Sequence, residues 1–177
     1  MTTTPGVTQE RTCRRALVDA TPKQRFITNY RPGEEVMNER FEVAPRRGAE
    51  PPRREDACRV GAMRRIAAAR LRYCGLQAMT NDVVVIVSEL LTNALLHSGA
   101  SEIRLTVTTA NDSLRIAVHD GVPGQATPKA VNHNTDVSGR GLVLVDALAR
   151  ESGGEWGTSD AGAETWCRLP VSTEEQS

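Results

Sequence analysis

The chain has 177 residues, a formal net charge of zero and a sequence pI of about 6.8. Hydrophobic residues make up 39% and aromatic residues 3%, which is enough for one core of mainly aliphatic side chains, so we expect one domain with an extension. The neutral balance gives no reason to expect direct binding to nucleic acid or to an anionic membrane.

Cysteine usage and apolar runs indicate the compartment. The N-terminal residues contain no apolar segment typical of a secretion signal, and the longest purely aliphatic run, Val83–Val87, is far too short to cross a bilayer. No CxxC pair occurs, and no histidine is placed to complete a zinc site with the four cysteines, which are Cys13, Cys58, Cys74 and Cys167. We therefore expect a cytoplasmic protein with reduced, mostly buried thiols.

The first part of the chain differs from the rest. Residues 1–38 are rich in Thr, Pro, Gly, Arg and Glu and show no sustained period, which predicts a flexible N-terminal extension. Residues 39–43 alternate weakly and predict an edge strand. We place the domain at 39–170 and a polar tail at 171–177.

Two helices are predicted next. Apolar residues recur at three- and four-residue steps from Arg54 to Tyr73, and Gly75 is placed to end that helix. Residues 80–82 offer N-cap side chains for a second helix. The β-branched run Val83–Val87 favours a strand by propensity alone. We assign it to the helix because residues 88–97 must be helical for their polar side chains to converge.

The remaining elements alternate between strands and helix. Apolar and polar residues alternate in 103–108 and 114–118 around an Asn-Asp turn, which predicts a hairpin. Residues 121–139 form an unusually long aperiodic loop, a helix follows at 141–149, and two closing strands flank a turn at 159–162, one at Trp156 and one at 165–169. This order predicts an α+β two-layer sandwich, with a mixed, mostly antiparallel sheet and helices on one face.

The stretch SELLTNALLHS is the clearest chemical signal. It spaces Glu89, Asn93 and His97 four residues apart, so all three lie on one side of a helix. Leu91 and Leu95 fall on another side and can face a core. Such a helix is suited to lie between a core and a polar pocket, with Asn93 able to give an oxygen to Mg²⁺ and Glu89 able to act as a general base.

Other residues fit the remaining parts of a nucleoside-triphosphate site. Gly139 and Gly141 stand where the long loop meets a helix, so the backbone can approach phosphate without a Cβ in the way. Asp120 ends a strand and could accept a hydrogen bond from an adenine amino group, a task that Thr165 could share. There is no GxxxxGK[ST] sequence, and GRG lacks the third glycine of a dinucleotide fingerprint, so both common nucleotide folds are disfavoured.

These motifs together resemble a known group. ELLTNALLH is similar to the N-box of the Bergerat-fold ATPases, which include the gyrase, chaperone, mismatch-repair and histidine-kinase ATP-binding domains. Asp120 with Gly124 resembles their first glycine box, and Gly139-Arg140-Gly141-Leu142 resembles their second. VSELLTNALLHS, a V-x-D strand, GRGLVLV and a late WG…TW segment, in this order, are most similar to the small actinobacterial anti-sigma-factor serine kinases.

The resemblance implies a role for each matched residue and a Bergerat ATP-binding fold. Glu89 matches the general base and Asn93 the magnesium ligand, while Asp120 and Thr165 match the residues that contact adenine. The positions implied to lie near the phosphates are His97, Gly139, Arg140, Gly141 and Leu142. One departure occurs in the first glycine box, where DxGxG is replaced by DGVPG and Val122 stands in the first glycine position.

The implied function is that of a stand-alone ATP-binding regulator. No transducer domain follows Leu169, and no histidine precedes the N-box to accept a phosphoryl group. By resemblance, the protein would be an anti-sigma factor that holds a sigma factor and, with Mg-ATP, phosphorylates a serine on a small STAS-type anti-anti-sigma partner. The alternative is an ATP-binding interaction module without useful catalysis. The resemblance also makes a homodimer plausible.

Overall fold

The computed structural model describes residues 33–45, 50–123 and 140–171. In these residues the strands are β1 (Glu35–Glu42), β2 (Glu102–Ala110), β3 (Ser113–His119), β4 (Glu155–Ser159) and β5 (Glu164–Pro170). The helices are α1 (Arg54–Tyr73), α2 (Thr80–His97) and α3 (Arg140–Glu151), and short 3₁₀ turns occur at Gln77–Met79 and Asp160–Gly162. The predicted element order and hairpin are confirmed.

The five strands form one sheet in the order β1-β2-β3-β5-β4. Each of the four pairings is antiparallel, so the sheet as described is antiparallel throughout rather than mixed. β5 lies between β3 and β4, and the antiparallel pairing places the end of β3, at His119, beside the start of β5, at Glu164. The α+β architecture predicted from the sequence is confirmed.

One face of the sheet carries the core. Alternate side chains of the central strands are fully buried, and they pack in a single cluster with the buried residues of all three helices; these strand residues are Ile103, Leu105, Val107, Leu114, Ile116, Val118, Cys167 and Leu169. The intervening residues, such as Arg104, Arg115 and Arg168, lie on the opposite face. The helices therefore cover one face, as predicted.

Burial explains why α2 is helical despite its β-branched start. Val83, Ile86 and Val87 are completely buried between α1 and the sheet, and Leu90 and Leu91 are buried one turn later. Helix propensity costs at most about 0.7 kcal/mol per β-branched residue relative to Ala. Full burial of one such side chain contributes about 1.5–3 kcal/mol. Packing therefore decides the conformation of this segment.

The same residues make this segment strongly apolar. By length and composition alone, Gln77–His97 could cross a membrane, with a mean hydropathy of 1.3, and 44% of the scored window is buried inside the fold. It is the one such helix in the part of the chain that the structure describes. A core helix of a globular domain meets the same criterion, and α2 packs as one.

The end of α1 was predicted correctly and the start of α2 was not. Gly75 follows α1 in the left-handed region, with φ +78°, and Leu76 N–H donates to Leu71 C=O at 2.8 Å, which is a Schellman ending. The N-cap of α2 is Met79 and makes no side-chain hydrogen bond. Thr80 already lies in the first helical turn, where its hydroxyl is buried among the described residues without a partner.

Two further differences concern β1 and the thiols. β1 begins at Glu35, four residues before the predicted strand, because Val36 and Met37 are buried in the core. Cys74 and Cys167 are buried, but Cys58 is exposed on α1, so the expectation of mostly buried thiols holds for two of the three described cysteines. Cys13 lies outside the described residues.

Candidate functional site

The polar stripe of α2 lies at the margin of the core. Glu89 and Asn93 are half-buried and His97 is exposed, whereas Leu90, Leu91 and Ala94 between them are buried. The stripe therefore emerges progressively from the core towards the C-terminus of α2. This arrangement is the one that the four-residue spacing predicted, with an apolar face and a separate polar side on one helix.

α3 begins directly beside this stripe. A Cβ built on Gly141 would lie 2.5 Å from Glu89 Oε2 and 3.5 Å from its Cδ, which is closer than non-bonded atoms approach. The Glu89 carboxylate therefore lies against the Cα of Gly141, in the first turn of α3. The structure thus brings together the acid of the first motif and a glycine of the last, across the intervening β2–β3 hairpin.

Glu89 and Asn93 are available to a ligand. Within residues 33–45, 50–123 and 140–171, neither side chain makes a hydrogen bond, a salt bridge or another electrostatic interaction. Burying a carboxylate without a partner is unfavourable. A half-buried carboxylate and amide in this state are suited to bind a group from outside the chain.

Asp120 and Thr165 form a second pair, on neighbouring strands. Asp120 follows β3 directly, and its N–H donates to Ala163 C=O at 3.0 Å. Thr165 lies opposite Val118 in the β3–β5 register, and Val118 faces the core. Because alternate residues share a face, Thr165 and Asp120 both lie on the helix-covered side of the sheet, at its margin.

The environment of Asp120 suits a hydrogen-bond acceptor. Partial burial raises the pKa of its carboxyl above the ordinary value, although a hydrogen bond from Val122 N–H and the nearby His119 act in the opposite direction. The Val122 N–H donates to Oδ1 at 3.0 Å. Among the described residues this is the one hydrogen bond that the carboxylate accepts from another residue, so the carboxylate remains able to accept a further one.

The departure in the first glycine box causes no backbone strain. The left-handed conformation falls on Gly121, with φ +69°, rather than on Val122, which stands where the family pattern has glycine. Val122 itself does not have a positive φ, and it is 38% exposed. A valine is therefore compatible with the local geometry at this position.

The structure describes only some of the other predicted site residues. Gly124 and Gly139 lie outside the described residues. Arg140 is the first residue of α3, and its side chain is not among those described. Leu142 is partly buried against the core, which is a packing role. α2 contacts α3, β3 and β5, which are the elements that carry or adjoin Gly141, Asp120 and Thr165.

A groove of about 460 Å³ lies beside Asp120 but is a different surface. It is formed by the segment after α2, the end of β3 and Pro45; its lining residues are Pro45, Gly99, Ala100, Ser101, Glu102, His119, Asp120, Gly121 and Val122. It includes none of Glu89, Asn93, Gly141 and Thr165. Only Asp120 is common to this groove and the predicted nucleotide pocket.

The donor set is compatible with magnesium bound together with a nucleotide. Among the described residues, no three His, Cys, Asp or Glu side chains are close enough to hold a metal ion by themselves. Mg²⁺ commonly takes one or two protein ligands and completes its shell with water and phosphate oxygens. The unpartnered amide of Asn93 fits such a site as a single protein ligand.

A polar cluster that no sequence motif indicated lies on the open face of the sheet. Glu164 accepts hydrogen bonds from Ser159 Oγ and from Arg115 Nη2, the latter at 2.6 Å. Burial raises the pKa of Glu164, but these two hydrogen bonds outweigh it and hold the pKa below its usual range. Strand alternation places Arg115 and Glu164 on one face, but the β3–β5 register pairs Arg115 with Arg168 and Glu164 with His119. The Arg115 side chain therefore reaches Glu164 along the strands, past Trp166, a contact that the sequence does not reveal.

Comparison with known proteins identifies the family. None of the curated proteins matches the chain. The family model of the histidine kinase-like ATPase domain matches residues 54–169, more than half of the chain. The match extends from the start of α1 into β5 and includes Glu89, Asn93, Asp120, Gly141 and Thr165. The chain therefore belongs to the histidine kinase-like ATPase domain family and is an ATP-binding regulatory domain.

Proposed function

We propose that this ATP-binding domain is an anti-sigma factor and protein serine kinase. The observation that carries the proposal is the position of Glu89, a half-buried carboxylate without a partner among the described residues, against Gly141 at the start of α3. A general base in phosphoryl transfer must be unpaired and close to the phosphates. A helix start with a glycine in its first turn is a suitable place for phosphate.

Asp120 and Thr165 recognise the adenine in this proposal. The Asp120 carboxylate accepts a hydrogen bond from the adenine amino group, and Thr165 supports the same edge of the base. Their positions on adjacent strands and on the same side of the sheet support this assignment. Gly139, Arg140, Gly141 and His97 lie near the phosphates, by the resemblance of the motifs that contain them.

The side-chain oxygen of Asn93 would hold magnesium in this site. The ion supplies positive charge that offsets the negative charge of the phosphate groups. Asn93 lies one turn of α2 after Glu89, so the same helix face presents the ligand and the base. Neither side chain makes a hydrogen bond or an ion pair among the described residues.

The chemical step is transfer of the γ-phosphoryl group to a serine hydroxyl. The serine oxygen forms a bond to the γ-phosphorus while the bond from that phosphorus to the β–γ bridging oxygen breaks, and ADP leaves. Glu89 accepts the hydroxyl proton. In this proposal the acceptor serine belongs to another protein, as the resemblance to the small anti-sigma-factor serine kinases implies.

The proposed partners are a sigma factor and a STAS-type anti-anti-sigma protein in the cytoplasm. The resemblance of VSELLTNALLHS and GRGLVLV to the small anti-sigma-factor kinases supports these partners, and a homodimer is compatible with it. The second candidate, an ATP-binding interaction module without catalysis, is favoured by the altered first glycine box at Val122 and by the N-terminal extension at residues 1–38. The free Glu89 carboxylate favours the kinase.

The proposal is tested by phosphotransfer from γ-labelled Mg-ATP to purified anti-anti-sigma proteins of the same organism. We expect label on serine, stable to acid as a phosphoester is, and a loss of about 100-fold or more in rate for Glu89→Gln. Glu55→Gln, an exposed position in the first turn of α1, is the matched control and should keep the wild-type rate. Transfer that survives in Glu89→Gln contradicts the base assignment, and ATP binding without any transfer supports the interaction module.

A further inference from the structure

The turn between β4 and β5 has an unfavourable backbone. Asp160 and Ala161 both have φ +53°, and Gly162 follows with φ +93°. Residues with a Cβ rarely adopt this left-handed region, and such conformations persist where surrounding contacts impose them. Ala163 N–H donates to Asp160 C=O at 3.0 Å, which closes the turn. The ends of the turn must therefore be held from outside.

Glu164 supplies that restraint on the open face of the sheet. Its carboxylate joins Ser159, at the end of β4, to Arg115 on β3, and it is itself 18% exposed. The Arg115 guanidinium lies 5.6 Å from the ring centroid of Trp166 and reaches Glu164 Oε1 at 2.6 Å. We call Glu164 with Ser159 and Arg115 the Glu164 clamp. It ties both ends of the strained turn to the central strand β3.

The residues on either side of Glu164 belong to the proposed adenine site. The carbonyl of Ala163 accepts the Asp120 N–H at 3.0 Å. Thr165 is the next residue along the chain and lies on the opposite, helix-covered face of β5. A movement of the backbone at Glu164 would therefore displace the backbone anchor of Asp120 and the side chain of Thr165 at once.

We propose that Glu164 is a positioning residue for base selection: the Glu164 clamp fixes the β4–β5 turn so that Asp120 and Thr165 discriminate adenine from guanine. This inference rests on the proposed role of Asp120. Adenine carries an amino donor at the position where guanine carries a carbonyl oxygen. A fixed carboxylate accepts from the former and repels the latter, and this discrimination weakens when the carboxylate can move.

The same two strands provide a matched control. Glu155 on β4 pairs with Arg168 Nη2 on β5 at 2.6 Å, also on the open face. This ion pair resembles the one between Glu164 and Arg115 in chemistry and length, but it does not adjoin Ala163 or Asp120. Loss of a carboxylate charge on this face is shared by Glu164→Gln and Glu155→Gln, whereas a contact with the β4–β5 turn is lost only in Glu164→Gln.

The experiment compares Glu164→Gln with Glu155→Gln in the full chain by two readouts. Amide hydrogen exchange, followed by NMR without nucleotide, reports the Asp120 N–H. Calorimetry gives the ratio of the dissociation constants for GTP and ATP. We expect only Glu164→Gln to speed exchange at Asp120 and to lower the GTP/ATP ratio by roughly fivefold, the effect of about one hydrogen bond. Ser159→Ala removes the second contact and should change both readouts in the same direction, even if Glu164→Gln does not fold.

Equal changes in the two Gln variants, or an unchanged GTP/ATP ratio in Glu164→Gln and Ser159→Ala, overturn the inference. Failure of the proposed function is separable from this result. If the folded wild type binds neither nucleotide, adenine reading by Asp120 is wrong and base selection by Glu164 falls with it. The exchange rate at Asp120 still reports whether the clamp holds the backbone.

Discussion

The carboxylate of Glu89 lies against the Cα of Gly141, so that a Cβ at residue 141 would be 2.5 Å from Oε2. This contact joins the middle of α2 to the first turn of α3. It explains why residue 141 is glycine independently of phosphate binding, because only a residue without a side chain leaves room for the Glu89 carboxylate. The position of the proposed base and the identity of residue 141 are therefore coupled.

Gly141→Ala should consequently affect chemistry more than stability. The displaced atom is the end of a flexible side chain, so the fold can accommodate the new methyl group by moving Glu89. A misplacement of about 1 Å lowers catalytic rates by as much as about 100-fold. We expect phosphotransfer in Gly141→Ala to fall at least about tenfold, with an unfolding free energy within about 1 kcal/mol of the wild type.

Gly61→Ala is the matched control for that substitution. Gly61 also lies inside a helix, and a Cβ there would meet only Arg65 Nη1, at an ordinary 3.7 Å. We expect urea unfolding to show a gain of about 0.5–1 kcal/mol for Gly61→Ala, because alanine loses less backbone entropy, with unchanged phosphotransfer. Full phosphotransfer in Gly141→Ala would show that the carboxylate position is not limiting.

Asp120→Asn should stabilise the folded protein at neutral pH while weakening ATP binding. Burial raises the pKa of Asp120 in the folded state above the ordinary value of 3.8, so between these two pKa values the folded state binds more protons than the unfolded state. Stability therefore falls as pH rises through the raised pKa. An asparagine carries no charge and avoids this loss.

The measurement for Asp120→Asn is the unfolding free energy from pH 4 to pH 7 for both proteins. We expect the difference in favour of the variant to grow towards neutral pH and then to level off. A difference that is independent of pH, or one that favours the wild type at pH 7, would refute the desolvation of Asp120.

Glu164→Gln should show the opposite dependence on pH. Burial raises the pKa of Glu164, but the hydrogen bonds from Arg115 and Ser159 lower it by more than burial raises it. The pKa in the folded state therefore lies below the ordinary value of 4.5. The stability that Glu164 contributes is complete above pH 4.5 and is lost as pH falls through the folded pKa. The Glu164→Gln variant should be less stable than the wild type at pH 7, and the gap should narrow in acid. A difference in unfolding free energy that widens in acid would disprove the ion pair between Glu164 and Arg115.

The thiols should differ sharply in reactivity. Burial raises the pKa of Cys167 to about 12 and also raises that of Cys74, whereas Cys58 is exposed. Thiolate is the reactive form, so in a Cys13→Ser background one thiol should react quickly with a disulfide reagent at pH 8 and two should react only after unfolding. Cys58→Ser should abolish the fast phase. Rapid reaction of three thiols in the folded protein would contradict the burial of β5.

Local patterns in the sequence predicted most of the fold, because most of them are compatible with one kind of element. The bounds of α1 and the Asn111-Asp112 hairpin follow from periodicity and turn chemistry. α2 required a choice between propensity and pattern, and burial of Val83 and Ile86 decided it. The start of β1 at Glu35 was missed, since Val36 and Met37 in succession do not alternate and lie beside a register irregularity.

Contacts between residues that are far apart in the sequence were harder to predict. The spacing of Glu89 and Asn93 placed them correctly on one side of α2, because that relation is local. The contact of Glu89 with Gly141 and the Glu164 clamp depend on helix packing and on the β3–β5 register, which no local pattern encodes. Asp56 is a similar case: it is buried and accepts the Ala44 N–H at 3.1 Å, yet its sequence context is that of an ordinary first-turn acid.

Mg-ATP binding by calorimetry tests the central claim most directly, which is that Asp120 and Asn93 belong to one nucleotide pocket. We expect the wild type to bind, Asp120→Ala to weaken binding at least about tenfold, and Asn93→Ala to bind ATP without dependence on magnesium. Asn81→Ala, an exposed position at the start of the same helix, should match the wild type. A folded wild type that does not bind at millimolar ATP, or binding that Asp120→Ala leaves unchanged, would contradict the account.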